Sequence, residues 1–151
     1  MVVAEILSAH PGVHAQVLDL APTAAAASAR FAAAGLSDRA SAEPGSFFDR
    51  LARGFDAYLL SDIIHDWDDD QARTVLQNCA DAAGRTGTVL LIEPTRGRGV
   101  GTGIDLFMLM CFGGKERTIE ELAELGTSAG LALRAHQPVA DGRTLLEFTA
   151  L

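Results

Sequence analysis

Short apolar runs alternate with amphipathic and alanine-rich stretches along this chain, a pattern that predicts strands and helices in turn. Residues 2–9 read as the tail of a helix, broken by His10-Pro11-Gly12. Gln16-Val17-Leu18-Asp19-Leu20 reads as a short buried strand with an acid at its end. Residues 24–34 are alanine-rich, a strong local helix former, and Gly35 stops them. A further short strand is expected over 39–42, followed by a turn at Pro44-Gly45-Ser46 and two anchoring aromatics, Phe47 and Phe48. Residues 55–60 form the next strand. Asp68 with Gln71 three residues on is a capping-box pattern, and Ala72, Val75, Leu76, Cys79 and Ala83 share one face of the helix it opens. Gly84 to Gly87 close that helix, and Val89-Leu90-Leu91-Ile92-Glu93 is a continuous apolar run of the kind central parallel strands carry.

Beyond it, Gly97, Gly99, Gly101 and Gly103 mark a loop, and residues 105–112 read as helical. Thr118-Ile119-Glu120-Glu121 is a second capping box, and its helix stops at Gly130. The last two strands, 131–137 and 144–149, are joined through Asp141-Gly142, a hairpin signal. Alternating strands and helices that finish in an antiparallel hairpin describe an α/β sheet whose final strand runs backwards. No repeat or linker interrupts residues 1–151, so a single domain is expected.

Composition narrows the function classes. With 48% apolar and 21% charged residues, the 151-residue chain has the make-up of a soluble globular protein. Its formal net charge of −8 argues against nucleic acid, whose binders need a basic footprint. No apolar stretch reaches the ~20 residues of a membrane span. Residues 1–7 lack a basic n-region and contain Glu5, unlike a signal peptide. Cys79 and Cys111 sit in apolar surroundings without metal-ligand spacing, as buried free thiols of a reducing cytoplasm would.

Candidate chemistry concentrates in Asp62-Ile63-Ile64-His65-Asp66-Trp67-Asp68-Asp69-Asp70, between a strand and a helix. Ligands of open α/β sheets gather at the carboxyl ends of strands, so His65 stands where a reaction would occur. A histidine at a helix entrance also has simpler explanations, and the 66–70 acids suit capping and the helix dipole. A calcium loop is disfavoured, with Gln71 where a glycine is needed and Gln77 where a bidentate Glu is needed. Gly114-Lys115 is no phosphate loop, because Leu109 and Glu116 replace its first glycine and its hydroxyl residue. No metal site is expected. A plain reading of Glu93 and Glu116 pairs them with Arg96 and Arg117, a surface arrangement worth little. Asp19 at a strand end would also suit the ribose of NAD, although the glycine fingerprint that marks such sites is missing.

The residues resemble the S-adenosylmethionine-dependent small-molecule O-methyltransferases of the caffeate/hydroxyneurosporene type. The resemblance is carried by Val17-Leu18-Asp19-Leu20-Ala21-Pro22, Pro44-Gly45-Ser46-Phe47-Phe48, the run from Leu60 to Asp69, Leu91-Ile92-Glu93 and Gly113-Gly114-Lys115-Glu116-Arg117-Thr118. The His-Asp-Trp run followed about fifty residues later by Gly-Gly-Lys-Glu-Arg-Thr is its most specific part. It implies a Rossmann-like class I methyltransferase sheet, with helices on both faces, an antiparallel C-terminal hairpin and the first strand missing. His65 would be the general base that takes a proton from the acceptor hydroxyl, with Glu93 and Glu116 flanking the imidazole and Asp66 beside it. Asp19 would accept from the ribose hydroxyls of S-adenosylmethionine, and Phe47 would contact adenine. Ser46 stands where many members have Asp, and Ser61 where plant members have Lys. Met108 and Phe112 would line the acceptor pocket.

The resemblance begins after the family's glycine-rich first motif and its N-terminal helical domain for dimerisation, which leaves the oligomeric state undefined. The function expected is cytoplasmic O-methylation of a small aromatic or polyketide-type hydroxyl in secondary metabolism. The alternative is a non-catalytic, truncated domain that binds a partner subunit, with a nucleotide-dependent oxidoreductase fragment as a weaker third reading.

Overall fold

A computed structural model of the protein describes residues 2–96 and 114–151. They divide into two compact units, Met1–Asp49 and Arg50–Leu151. The expected 97–103 loop and 105–112 helix, together with Cys111, Met108 and Phe112, lie outside the described residues.

The first unit holds α1 (Val2–Ala9), β1 (Ala15–Asp19), α2 (Ala21–Ala33) and β2 (Ala40–Pro44). β1 and β2 pair in parallel, with Ala15 opposite Ala40 and Asp19 opposite Pro44. The alanine run places Pro22 in the first helical turn of α2, where its missing N–H costs nothing. Ala24, Ala27 and Phe31 form its buried stripe. The helix ends as the sequence predicts: Gly35 adopts φ +68°, donating to Ala32 O at 3.1 Å, while Leu36 N donates to Phe31 O at 2.9 Å. That pair of bonds satisfies terminal carbonyls and folds Leu36 back into the core formed by Leu7, Ala27, Phe31 and Ala40. Arg39 closes the other end of the unit. Its guanidinium donates to the carbonyls of Leu7, His10 and Val13, supplying charge where the α1 dipole is negative.

The second unit is a four-stranded sheet in the order β3 (Ala57–Ser61), β4 (Thr88–Pro94), β6 (Arg143–Ala150), β5 (Leu131–Pro138). β3 and β4 are parallel, whereas β6 runs antiparallel to both β4 and β5. α3 (Asp69–Ala83) and α4 (Ile119–Ser128) supply its helical layer. The predicted face of α3 is the buried one: Ala72, Val75, Leu76, Cys79 and Ala83 all face inward. Asp68 caps α3 by accepting from Gln71 N at 2.8 Å, and Thr118 and Glu121 complete a reciprocal capping box on α4.

Three sequence expectations change in detail. The strand expected to be buried over 16–20 is β1, whose residues are all half-buried or exposed. Leu18 is among the exposed ones, and Leu20 beyond its end is exposed as well. The strand expected over 39–42 runs from Ala40 to Pro44, its start preceded by a turn in which Arg39 N and Ala40 N both donate to Leu36 O. The apolar run at β4 is parallel on one side only. Its burial alternates, with Val89, Leu91 and Glu93 on the inner face. An alternating strand that turns a glutamate inward is the feature on which the site is built.

Candidate active site

At the carboxyl end of β3 the backbone bends at Asp62, which takes φ +55°, a region non-glycine residues seldom visit. Two contacts hold it there. Its N–H donates to Ile92 O at 2.9 Å, and its carboxylate accepts from Arg143 Nε at 2.7 Å. The chain then winds into a single 3₁₀ turn, Ile64–Asp66, with His65 at its centre.

Glu93, projecting from β4 and 1% exposed, organises that turn. Its Oε1 accepts from Ile63 N at 3.0 Å and Ile64 N at 2.8 Å. Its Oε2 lies 2.8 Å from His65 Nδ1 and takes a longer bond, 3.4 Å, from His65 N. A buried carboxylate costs much free energy unless it is bonded this fully. The consequence for the imidazole is chemical. A carboxylate can only accept, so Nδ1 carries the proton and the neutral ring presents its lone pair at Nε2.

Nε2 lies 3.3 Å from Asp66 Oδ1. Burial alone would lower the pKa of His65, but the hydrogen bond to Glu93 and the charges of Glu93, Asp66 and Asp62 outweigh it and hold the ring above its ordinary 6.5. Asp66 is pushed up by burial and by the charges of Glu93 and Asp62, against the opposing pull of His65. The result is a 9%-exposed imidazole with a fixed tautomer, in a strongly acidic setting.

The segment 114–117 closes the other side of the turn. A Cβ on Gly114 would collide with the backbone of His65 and Asp66, so only glycine permits this approach. Glu116 follows, 2% exposed, with its carbonyl accepting from Arg96. The side-chain contacts that hold the imidazole itself come from Glu93 and Asp66. Arg117, also 2% exposed, does not reach Glu93. It donates through Nε and Nη2 to Asp69 Oδ1, and through Nη1 and Nη2 to the carbonyls of Ile64 and Trp67, each at 2.9 Å. Neither this clamp nor the Asp62–Arg143 pair has a local sequence signal, because the partners are 48–53 and 81 residues apart.

Asp19 ends β1 in the first unit, half-buried, with Oδ1 accepting from Leu20 N at 2.7 Å. Gly45 N donates to Asp19 O at 2.9 Å, which brings the segment carrying Ser46 and Phe47 to the same carboxyl edge. The Ser46 hydroxyl accepts from Phe48 N at 3.1 Å, leaving its own proton to donate. Phe47 is half-buried, its ring 5.0 Å from that of Phe48. Ser61, the last residue of β3, is half-buried in the second unit. Among the described residues, no cluster of three or more His, Cys, Asp or Glu side chains is arranged to hold a metal ion. Nor is any described helix long and apolar enough to cross a membrane.

Residues 1–132 match the O-methyltransferase domain family. The chain is 50% identical, over 97% of its length, to 2,7-dihydroxy-5-methyl-1-naphthoate 7-O-methyltransferase of Streptomyces carzinostaticus, and covers 44% of that protein. It is 35% identical over 94% of its length to a phenazine O-methyltransferase of Lysobacter antibioticus, covering 43% of it. An O-methyltransferase from neocarzinostatin biosynthesis, solved with S-adenosylmethionine and 2-hydroxy-5-methyl naphthoic acid, superposes with a TM-score of 0.95 at 49% identity. That superposition spans 99% of this chain and 45% of the other. The chain therefore has the class I methyltransferase fold, and spans less than half the length of these relatives.

Proposed function

Because the chain belongs to the O-methyltransferase family, we propose that it carries the proton-abstracting half of an O-methyl transfer from S-adenosylmethionine to the hydroxyl of a small aromatic metabolite. The observation that carries this reading is the 2.8 Å contact between His65 Nδ1 and the buried Glu93, which leaves Nε2 as the accepting nitrogen. A phenol near pKa ~10 is almost fully protonated at neutral pH, so a positioned base contributes about 10²–10⁴-fold. The acceptor hydroxyl gives its proton to Nε2. Its oxygen takes the methyl group as the bond from sulfur to that carbon breaks. The imidazolium that results is stabilised by Glu93 and Asp66, then loses its proton to water. Glu116, buried in the segment that closes over the turn, is assigned as a second acid of this base pocket.

Bound S-adenosylmethionine supplies an electrophilic methyl on sulfonium. Asp19 and Phe47 fit the nucleoside part of that cofactor: a carboxylate for vicinal hydroxyls and a flat apolar ring lie on one carboxyl edge of a parallel strand pair. Ser46 and Ser61 add hydroxyls with room for a further donor or acceptor role. Met108 and Phe112 are assigned to the acceptor pocket on family resemblance. The naphthoate substrate of the 50%-identical relative makes a bicyclic hydroxy acid the leading acceptor class. We place the reaction in the cytoplasm, where a buried free thiol such as Cys79 persists.

Calorimetric titration of S-adenosylhomocysteine, followed by turnover with a hydroxynaphthoate, tests the reading. The wild-type chain binds and methylates, while His65→Ala binds with nearly unchanged affinity and loses turnover by about 10²-fold or more. A chain that gives no binding up to millimolar ligand is the non-catalytic, partner-binding domain instead. A fully active His65→Ala variant refutes the assigned base.

A further inference from the structure

We propose that Arg117 is a positioning residue for His65: its buried guanidinium fixes the carbonyl end of the His65 turn, while Glu93 fixes the amide end. This inference rests on reading His65 as the base, and it assigns a task to a buried cation which that reading leaves idle. Arg117 is 2% exposed, and an interior guanidinium is retained only where its donors are well used. Here they converge on one short stretch. The carbonyls of Ile64 and Trp67 bracket His65 in sequence, and Arg117 donates to both at 2.9 Å. The remaining donors grip Asp69 at the start of α3, at 2.8 and 3.0 Å.

Both grips are anchored at the end of one strand. Glu93 lies on β4, and Thr95, two residues further, bridges to Arg117 in parallel. Arg96 N donates to Arg117 O at 3.1 Å, so the guanidinium is anchored to the same backbone as the carboxylate. The turn is thus held at opposite ends by opposite charges, an acceptor for its N–H groups and a donor for its C=O groups. If the carbonyl end is released, the turn can rotate, and the Nδ1 contact with Glu93 is the bond that rotation breaks. Gly114 lets the segment lie close enough for the arginine to reach.

The charged groups that face the ring are Glu93 from β4, Asp66 on its own turn and Asp62 from the end of β3, the last paired with Arg143 of β6. Arg117, Asp69 and Lys115 sit at the far end of the turn. Replacing Arg117 by lysine keeps a cation there and removes the planar fork, so an effect on His65 reports geometry rather than charge.

The test is long-range ¹⁵N NMR of the His65 ring across a pH titration, for the full chain and for Arg117→Lys. The wild type shows the Nδ1–H tautomer and a raised midpoint. The variant shows a mixed tautomer and a lower midpoint. Where turnover is measured, kcat falls about 10–10²-fold, the scale of a misplaced catalytic group, while S-adenosylhomocysteine affinity stays within about twofold. A folded Arg117→Lys chain with a lower melting temperature but unchanged His65 tautomer and midpoint overturns the proposal, since the arginine then serves the fold alone. Should Arg117→Lys fail to fold, Asp69→Asn loosens the guanidinium more mildly. A smaller shift in the same direction supports the positioning role, and no shift overturns it. A wild-type chain that neither binds S-adenosylhomocysteine nor turns over defeats the methyl-transfer reading, yet the ring titration still decides the role of Arg117.

Discussion

Replacing Glu93 with glutamine changes one atom and one charge, and the structure dictates how the amide must sit. Ile63 N and Ile64 N, at 3.0 and 2.8 Å from Oε1, require an acceptor. The amide oxygen therefore takes that position, and the NH₂ group is turned toward His65. A donor now confronts Nδ1, which lay 2.8 Å from Oε2. The imidazole relieves the clash by moving its proton to Nε2, where the Asp66 carboxylate lies 3.3 Å away. The nitrogen assigned to receive the substrate proton is then already occupied. A wrong-tautomer substitution of this kind removes about 10⁴ in kcat from a serine protease triad, and general-base loss here sets a comparable range of about 10²–10⁴. Stability should fall by about 1.5–3 kcal/mol, the scale of one buried hydrogen bond to a charged group. Burial, no longer opposed by the Glu93 carboxylate, should lower the His65 pKa, so whatever activity remains should rise at lower pH than in the wild type. Turnover against pH, with ¹⁵N NMR of the ring, checks each step. A Glu93→Gln chain that keeps both its Nδ1–H tautomer and its full kcat refutes the reasoning.

Three further outcomes follow from the same geometry. The folded His65 ring holds its proton more tightly than the unfolded one, so its stabilisation is complete below pH 6.5 and disappears as pH rises through the raised folded value. Urea midpoints measured in steps upward from pH 6 should decline, and His65→Gln should flatten that decline; parallel curves would contradict the linkage. Gly114→Ala drives a Cβ into the backbone of His65 and Asp66, and neither can yield like a side-chain tip. Chemical denaturation should show a loss of about 1–3 kcal/mol, the usual scale of overpacking, and a wild-type midpoint would mean that the segment moves freely. Burial pushes the Cys79 thiol up to about 12, so in a Cys111→Ser background the folded chain should resist alkylation at pH 8 and react once unfolded. Rapid labelling of the folded chain would place Cys79 outside the core.

How much of this was legible in the sequence depends on how far apart the interacting residues lie. Helix caps and the α2 terminus were readable, because Asp68 with Gln71, Thr118 with Glu121 and Gly35 after an alanine run each satisfy backbone groups within a few residues. The buried stripe of α3 was readable from its period. The reach of Arg39 back across 26–32 residues to the carbonyls of Leu7, His10 and Val13 was not, since only the folded chain shows that contact. The acids around the imidazole show the same division. Position 93 closes an apolar run and gives no local sign of which face it will take. Pairing with β3 and β6 decides that, turning Glu93 inward with Val89 and Leu91. Asp66, by contrast, is adjacent to His65 and meets its Nε2 with no help from topology. The ring thus has one neighbour set by sequence and one set by the sheet. The sheet-set neighbour is the one that chooses the tautomer, which is why the chemistry at position 65 depends on a fold whose register a local reading cannot supply.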